Sequence, residues 1–230
     1  MKKLVVLTGA GMSAESGIST FRDSGGLWEQ YKIDDVATPE AWRRNPALVL
    51  EFYTQRRKQL LTAQPNDGHL ALAALEKDFD VQIITQNVDN LHERAGSTHI
   101  LHLHGELTKV RSTGGGEEVF ELAEKDYDVK LGDTCPKGYQ LRPHIVWFGE
   151  AVPEIENAIQ LTEKADVFLV IGTSLNVYPA AGLLNYVPAG VPVFLIDPND
   201  VPVYRQGVTV IRNGASEGMQ QLIPQLLKCC

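Results

Sequence analysis

Cysteine is scarce in this chain: three among 230 residues, with Cys135 alone and Cys229 next to Cys230. No set of pairs at framework spacing exists, which argues against a disulfide-stapled secreted scaffold and for a reducing, cytosolic setting. Cys229-Cys230 does not fit the C-a-a-X lipidation signal and is expected to remain unmodified. Long hydrophobic runs are also missing, since no stretch approaches the roughly 18–20 apolar residues of a membrane span. The apolar run behind Met1-Lys2-Lys3 covers only residues 4–7, too short for a signal-peptide core, and is expected to be a first buried strand. Positive charge is in short supply. The formal net charge is −8, from 21 Lys and Arg against 29 Asp and Glu, and no basic block offers a track for a phosphate backbone. Direct nucleic-acid binding is therefore not expected. An acidic surface suits a partner with basic side chains, such as a lysine-rich peptide.

What is present is an ordinary globular composition, 43% hydrophobic and 22% charged, long enough to bury a real core. Short continuous apolar runs at 4–7, 81–85, 100–103, 167–171, 193–196 and 208–211 have the pattern of strands buried on both faces. Segments of helical character lie between several of them, at 68–77, 153–164, 180–187 and 215–227. That alternation predicts an α/β fold with a doubly wound parallel sheet. Two stretches interrupt it. Residues 22–65 contain no strand candidate and are expected to form a helical module. Residues 105–143 are polar and glycine-containing, with few apolar runs, and are expected to form a small inserted module. The sheet domain is then expected from residues 1–21, 66–104 and 144–230 within a single unit of 230 residues. No oligomerisation stripe is evident, so a monomer is expected.

Directly behind the first strand runs Gly9-Ala10-Gly11-Met12-Ser13-Ala14-Glu15-Ser16-Gly17. It satisfies G-x-G-x-x-A, in which glycines permit a tight turn and let backbone amides approach a pyrophosphate. A dehydrogenase would follow this loop with a second strand ending in Asp or Glu about 20 residues on. Here the chain continues as Ile18-Ser19-Thr20-Phe21-Arg22-Asp23-Ser24-Gly25-Gly26-Leu27-Trp28, a loop. A nucleotide site is expected without dehydrogenase chemistry.

Five segments, in order and spanning most of the chain, resemble the signatures of sirtuins. They are Gly9 to Arg22, Thr85-Gln86-Asn87-Val88-Asp89-Asn90-Leu91-His92, Leu103-His104-Gly105, Arg142 to Glu150, and Gly172-Thr173-Ser174. The resemblance implies a Rossmann-like domain with NAD as co-substrate, and removal of acyl groups from protein lysine that yields nicotinamide and acyl-ADP-ribose. It implies that Gly9, Ala10, Gly11, Ser13, Glu15, Ser16 and Gly17 hold NAD. Phe21, Arg22 and Trp28 would close over its nicotinamide side, and Gln86, Asn87 and Asp89 would contact ribose and carboxamide. Gly172, Thr173, Ser174, Asp197 and Ala215 would complete the cofactor site. Asp197 stands where the family usually has Asn, and its carboxylate would repel a 2′-phosphate, favouring NAD over NADP. His104 would be the general base, supported by Asn87 and Asp89. His102 shares its strand face under strict alternation, so spacing alone does not separate the two; the His-Gly motif selects His104. Val146, Trp147, Phe148, Gly149 and Glu150 would form an edge that pairs with an extended substrate peptide.

Asn45-Pro46 is a strong helix start, a capping Asn followed by proline at the first helical position. Val49, Tyr53, Arg56 and Leu60 then share one face, a stripe that is apolar except for Arg56. The bland interpretation is an arginine that reaches solvent or pairs with Glu51 or Asp35. Tyr-x-x-Arg at this place is similar to the sirtuin subgroup that removes succinyl and malonyl groups, which implies that Arg56 and Tyr53 bind the acyl carboxylate.

Two departures from the family pattern stand out. Ser19-Thr20 replaces the Pro-Asp of many relatives. Most sirtuins also hold a structural zinc on two cysteine pairs in the small module, whereas here only Cys135 remains, with 112–116 and Gly138 at the other places. No zinc is expected. Two other functions stay open: a protein ADP-ribosyltransferase using the same site, and an NAD-binding sensor with little turnover.

Overall fold

A computed structural model describes residues 1–18, 31–115, 118–203 and 205–229. The strands are β1 (Lys3–Thr8), β2 (Asp80–Thr85), β3 (Ile100–His102), β4 (Gly105–Ser112), β5 (Val119–Glu121), β6 (Leu141–Ile145), β7 (Val167–Ile171), β8 (Val193–Ile196) and β9 (Val208–Ile211). The helices are α1 (Gly11–Ala14), α2 (Ile33–Val36), α3 (Pro39–Arg44), α4 (Pro46–Thr62), α5 (Asp67–Ala74), α6 (Leu91–Ala95), α7 (Ile155–Thr162) and α8 (Ala215–Leu226).

Side-chain alternation explains the apolar runs. Leu4 and Val6 face one core together with Leu169, Ile83, and Met219 and Leu222 of α8. Val5 and Leu7 face the other with Phe168, Val170, Ala158 of α7 and Leu183. A strand covered on both faces needs an apolar side chain at every position, and each one fully buried contributes about 1.5–3 kcal/mol. The large sheet has the order β3-β2-β1-β7-β8-β9 with every pair parallel. Its winding reverses between β1 and β7, and the crevice outside the strand ends at such a reversal is where open α/β sheets bind ligands.

The helical module follows from its caps. The Thr38 hydroxyl accepts from the Ala41 amide ahead of Pro39, and Asn45 Oδ1 accepts from the Leu48 amide at 3.2 Å ahead of Pro46. Its core joins Val36, Val49, Phe52, Tyr53 and Leu60 to Leu107, Ile145 and Trp147. The expected helices at 68–77 and 180–187 each differ in part. The first ends as a 3-10 turn at Leu75–Lys77, and the second is 3-10 over Ala180–Tyr186.

The small module departs from expectation more. Residues 105–143 carry β4 and β5, and β6 extends past 143 to Ile145, forming an antiparallel sheet of order β5-β4-β6. The register shift between Gly105 and Val110 breaks the two-residue period that would have marked β4 as a strand.

Candidate active site

The two glycine loops leave β1 and β7 side by side. Gly9 N–H donates to Ile171 O at 3.0 Å, and Gly11 N–H donates to Gly172 O at 2.8 Å. A Cβ on Gly11 would lie 2.7 Å from Gly172 Cα, and one on Gly172, at φ +62°, would lie 2.3 Å from Met12 N. The missing side chain of Gly11 was expected to clear space for phosphate, yet in the structure that space lets the second loop's backbone close onto the first. Ala10 precedes the single turn α1, and Gly17 leaves it at φ +82°. The nearby polar side chains are tied down. Glu15 Oε1 accepts from the Ser216 amide at 3.2 Å, next to buried Ala215. Ser16 Oγ accepts from Asn66 Nδ2 at 3.1 Å, and the same amide group donates to Met12 O.

The end of β2 meets this loop through one hydrogen-bond chain. Asn87 Nδ2 donates to Gly9 O at 3.0 Å and to Ser13 Oγ at 3.1 Å, and Ser13 Oγ donates to Asp89 Oδ2 at 2.9 Å. Asp89 Oδ1 accepts from the Leu91 amide at the start of α6. Burial pushes the Asp89 carboxyl up, against the opposing hydrogen bonds from Leu91 and Ser13. Gln86 Nε2 reaches across the reversal to Thr173 Oγ1 at 3.2 Å, beside half-buried Ser174. Asp197, at the end of β8, is 6% exposed, and its Oδ1 accepts from the Asn199 amide at 2.9 Å.

The structure separates the two histidines that spacing left equivalent. His102 pairs at both nitrogens, Nδ1 with Asn87 O at 3.0 Å and Nε2 with Glu93 Oε1 at 2.7 Å. Burial opposes its charge, but the Glu93 carboxylate outweighs burial and raises its pKa. His104 Nδ1 lies 3.0 Å from Gln86 O. A carbonyl only accepts, so Nδ1 carries the hydrogen and Nε2 keeps its lone pair. Burial lowers the His104 pKa, which leaves Nε2 unprotonated at neutral pH. That tautomer suits a general base.

The segment 146–150, the edge expected to pair with an extended substrate peptide, follows β6 and is anchored by its own backbone. Val146 N–H donates to His104 O at 2.9 Å and Phe148 N–H to Ala37 O at 3.0 Å, and the chain then turns at Gly149, φ +90°. The Glu150 carboxylate points inward. It accepts from Arg142 Nη1 at 2.9 Å, Arg142 Nη2 at 3.1 Å and the Trp147 amide at 2.8 Å. The Arg142 guanidinium stacks 3.5 Å above the Trp147 ring. Composition gave no sign of this clamp.

On α4, Trp147 Nε1 donates to Tyr53 Oη at 3.1 Å, so the hydroxyl hydrogen remains for another acceptor. Burial drives the Tyr53 pKa up to about 12, which keeps the phenol protonated. Arg56 is half-buried, 5.9 Å over the Phe52 ring. Burial lowers its pKa, while Tyr53 and Asp89 hold it up, which puts the guanidinium in the field of the Asp89 carboxylate. Of the two acids considered for Arg56, Asp35 pairs with Arg44 at 2.6 Å and Glu51 accepts from Gln55. Sequence reasoning passed over Arg57, which is fully buried and donates from Nε to Leu107 O at 2.7 Å. Two consecutive arginines give no hint of which one enters the core.

Phe21, Arg22 and Trp28 lie outside the described residues. In the small module, Ser112 Oγ lies 3.3 Å from Cys135 Sγ, and the Gly138 amide donates to Cys135 O. A hydroxyl and a glycine stand near this thiol, a donor set that does not fit a four-thiolate zinc site. Elsewhere, Glu93, His102 and Glu106 bring donor atoms within 4.8 Å of one another, but Lys109 already holds Glu106 at 2.8 Å.

The Sir2 family model matches residues 9–179. An NAD-dependent protein deacylase of Bacteroides thetaiotaomicron is 64% identical over 226 residues, covering 96% of this chain and 97% of its own length. A Helicobacter pylori protein of the same name is 52% identical, with 99% of each chain covered. A solved complex of a Sir2 homologue with NAD superposes with a TM-score of 0.89 at 42% identity, covering 99% of this chain and 90% of that one. These matches and the paired glycine loops at a sheet reversal lead to one conclusion: the chain belongs to the Sir2 family, the sirtuins.

Proposed function

We propose that this protein is an NAD-dependent protein-lysine deacylase that prefers acidic acyl groups such as succinyl and malonyl. The activity is supported by relatives named NAD-dependent protein deacylases. The acyl preference rests on one observation, a half-buried Arg56 on the helix face of Tyr53, within the field of Asp89. A planar guanidinium on the same helix face as a tyrosine hydroxyl matches a distal carboxylate bidentately. The Tyr53 hydroxyl, already fixed by Trp147, has its hydrogen left to add a second bond.

NAD, when bound, supplies a ribose carbon open to attack and nicotinamide as the leaving group. The residues at the strand ends suit it: the packed glycine loops present backbone amides, and the Asn87 Oδ1, Gln86 and Asp197 acceptors suit hydroxyl and carboxamide donors. Ser13 and Asn87 hold Asp89 in place. His104 Nε2 takes the hydroxyl proton, with Gln86 O fixing the tautomer. Asp197 disfavours a 2′-phosphate. The turn at 146–150 presents the substrate side, with Glu150 shaping it through Arg142. We further infer that packing of Leu50, Val110 and Val129 holds the small module without zinc. No described helix is long and apolar enough to cross a membrane, and the scarcity of cysteine supports a cytosolic setting; we take the protein to be a monomer that acts on lysine-bearing proteins.

Matched acetyl-, succinyl- and malonyl-lysine peptides incubated with NAD and read by mass spectrometry test the proposal. Faster loss of succinyl or malonyl with matching acyl-ADP-ribose is expected. Loss of acetyl alone would discard the acidic pocket, and label transferred to protein without acyl loss would favour the ADP-ribosyltransferase.

A further inference from the structure

A second pocket of about 390 Å3 lies between α3, the small sheet and the turn that follows β6. None of the glycine-loop residues lines it; among the described residues Arg43, Arg111, Arg142, Trp42 and Trp147 do, with Glu150 as the one carboxylate. The charges do not balance. Arg142 is met by Glu150 at 2.9 Å, and among the described residues Arg43 is held only by Glu40, in a pair whose side chains are 71% and 65% exposed. An exposed pair of this kind is weak. Arg111, on β4, makes no ion pair among the described residues. Its charge is felt next door: after burial, it is the largest influence lowering the His144 pKa. Among the described residues, three guanidinium groups thus line this pocket with one carboxylate, in a protein whose net charge is −8. A surface accumulating positive charge against the overall balance attracts anions selectively.

We propose that this pocket binds a small, multiply charged oxyanion of the phosphate or carboxylate type. Planar guanidinium forks match such oxygens bidentately. The indoles of Trp42 and Trp147, packed at 5.8 Å between ring centroids, form an apolar wall of the pocket. An anion drawn to Arg142 competes with Glu150, which also holds the Trp147 amide, and Trp147 in turn holds the Tyr53 hydroxyl. Occupancy is therefore transmitted toward Tyr53.

The test is calorimetric titration at constant ionic strength of the full chain saturated with ADP-ribose, which fills the glycine-loop site. Inorganic pyrophosphate represents a free anion, and an unacylated aspartate-rich peptide represents one carried on a protein. Binding of pyrophosphate at one site per chain, weakened at least about tenfold in Arg111→Ala, supports the proposal with a free ligand. Binding of the peptide alone, with the same dependence on Arg111, supports it with a protein carboxylate as the source. Undiminished ADP-ribose binding verifies that the variant folds, and the exposed Arg43→Ala, expected to weaken binding about threefold, serves if it does not. No binding of either probe, or binding unchanged by both substitutions, overturns the proposal.

Discussion

Replacing Arg56 by Met separates acyl recognition from everything else at the site. Methionine keeps an unbranched stem against the Phe52 ring, which the guanidinium covers at 5.9 Å, and removes only the charged fork. A hydrogen bond to a charged group contributes about 1.5–3 kcal/mol. A bidentate pair would exceed that, but burial already lowers the Arg56 pKa and marks a desolvation cost that offsets part of the gain. The net loss is then about 3 kcal/mol, equivalent to roughly a hundredfold in kcat/KM at about 1.4 kcal/mol per decade. Steady-state kinetics on matched peptides should show this loss for succinyl-lysine, while acetyl-lysine changes by less than about threefold. Arg56→Lys should fall between, because it keeps a charge and loses the planar fork. Equal losses for both acyl groups would mean that Arg56 supports structure, and no loss for succinyl would refute the pocket outright.

The neighbouring substitution should behave in the opposite way. Arg57→Met leaves the Leu107 carbonyl without its buried side-chain donor, while Tyr127 O keeps Thr54 Oγ1, and should cost about 1–3 kcal/mol of stability in urea unfolding. The succinyl-to-acetyl ratio should stay unchanged; a changed ratio would contradict the assignment. Tyr53→Phe strands the buried Trp147 Nε1–H. It should reduce stability by about 1–3 kcal/mol and weaken succinyl turnover less than Arg56→Met does, which the same kinetics check. Burial holds His69 down to about 4 from its ordinary 6.5, with Glu15 and Glu93 opposing, and His92 packs against it at 4.8 Å between ring centroids. The unfolded chain gains this proton below 6.5 while the folded one resists until about 4, so stability is lost as pH falls through that window. His69 alone should account for about 2 kcal/mol between pH 7 and pH 5. Urea unfolding at the two pH values should show a shallower dependence for His69→Gln, and an unchanged slope would contradict this origin.

The parallel sheet was legible because strands buried on both faces have nowhere to place a polar side chain, which leaves runs such as Leu4-Val5-Val6-Leu7. The α4 start was equally plain, since Asn45 and Pro46 are chosen by backbone chemistry. The small sheet was not, because its half-exposed strands mix polar and apolar residues and the register shift interrupts their period. Motif resemblance pointed to His104, but only geometry gave a physical reason, with Glu93 occupying the free nitrogen of His102. The inward turn of Glu150 and the closure of the second glycine loop onto Gly11 were not legible, because a sequence shows which group is present and not where it turns. Their partners, Arg142 and Gly172, are 8 and 161 positions away.

The measurement closest to the central claim quantifies nicotinamide, free-lysine peptide and acyl-ADP-ribose made from a succinyl peptide by wild-type protein and by His104→Ala, each first shown to bind NAD. The account predicts equimolar products from the wild type and a loss of about 100-fold or more in acyl-ADP-ribose from the variant. Equal product from His104→Ala would contradict it.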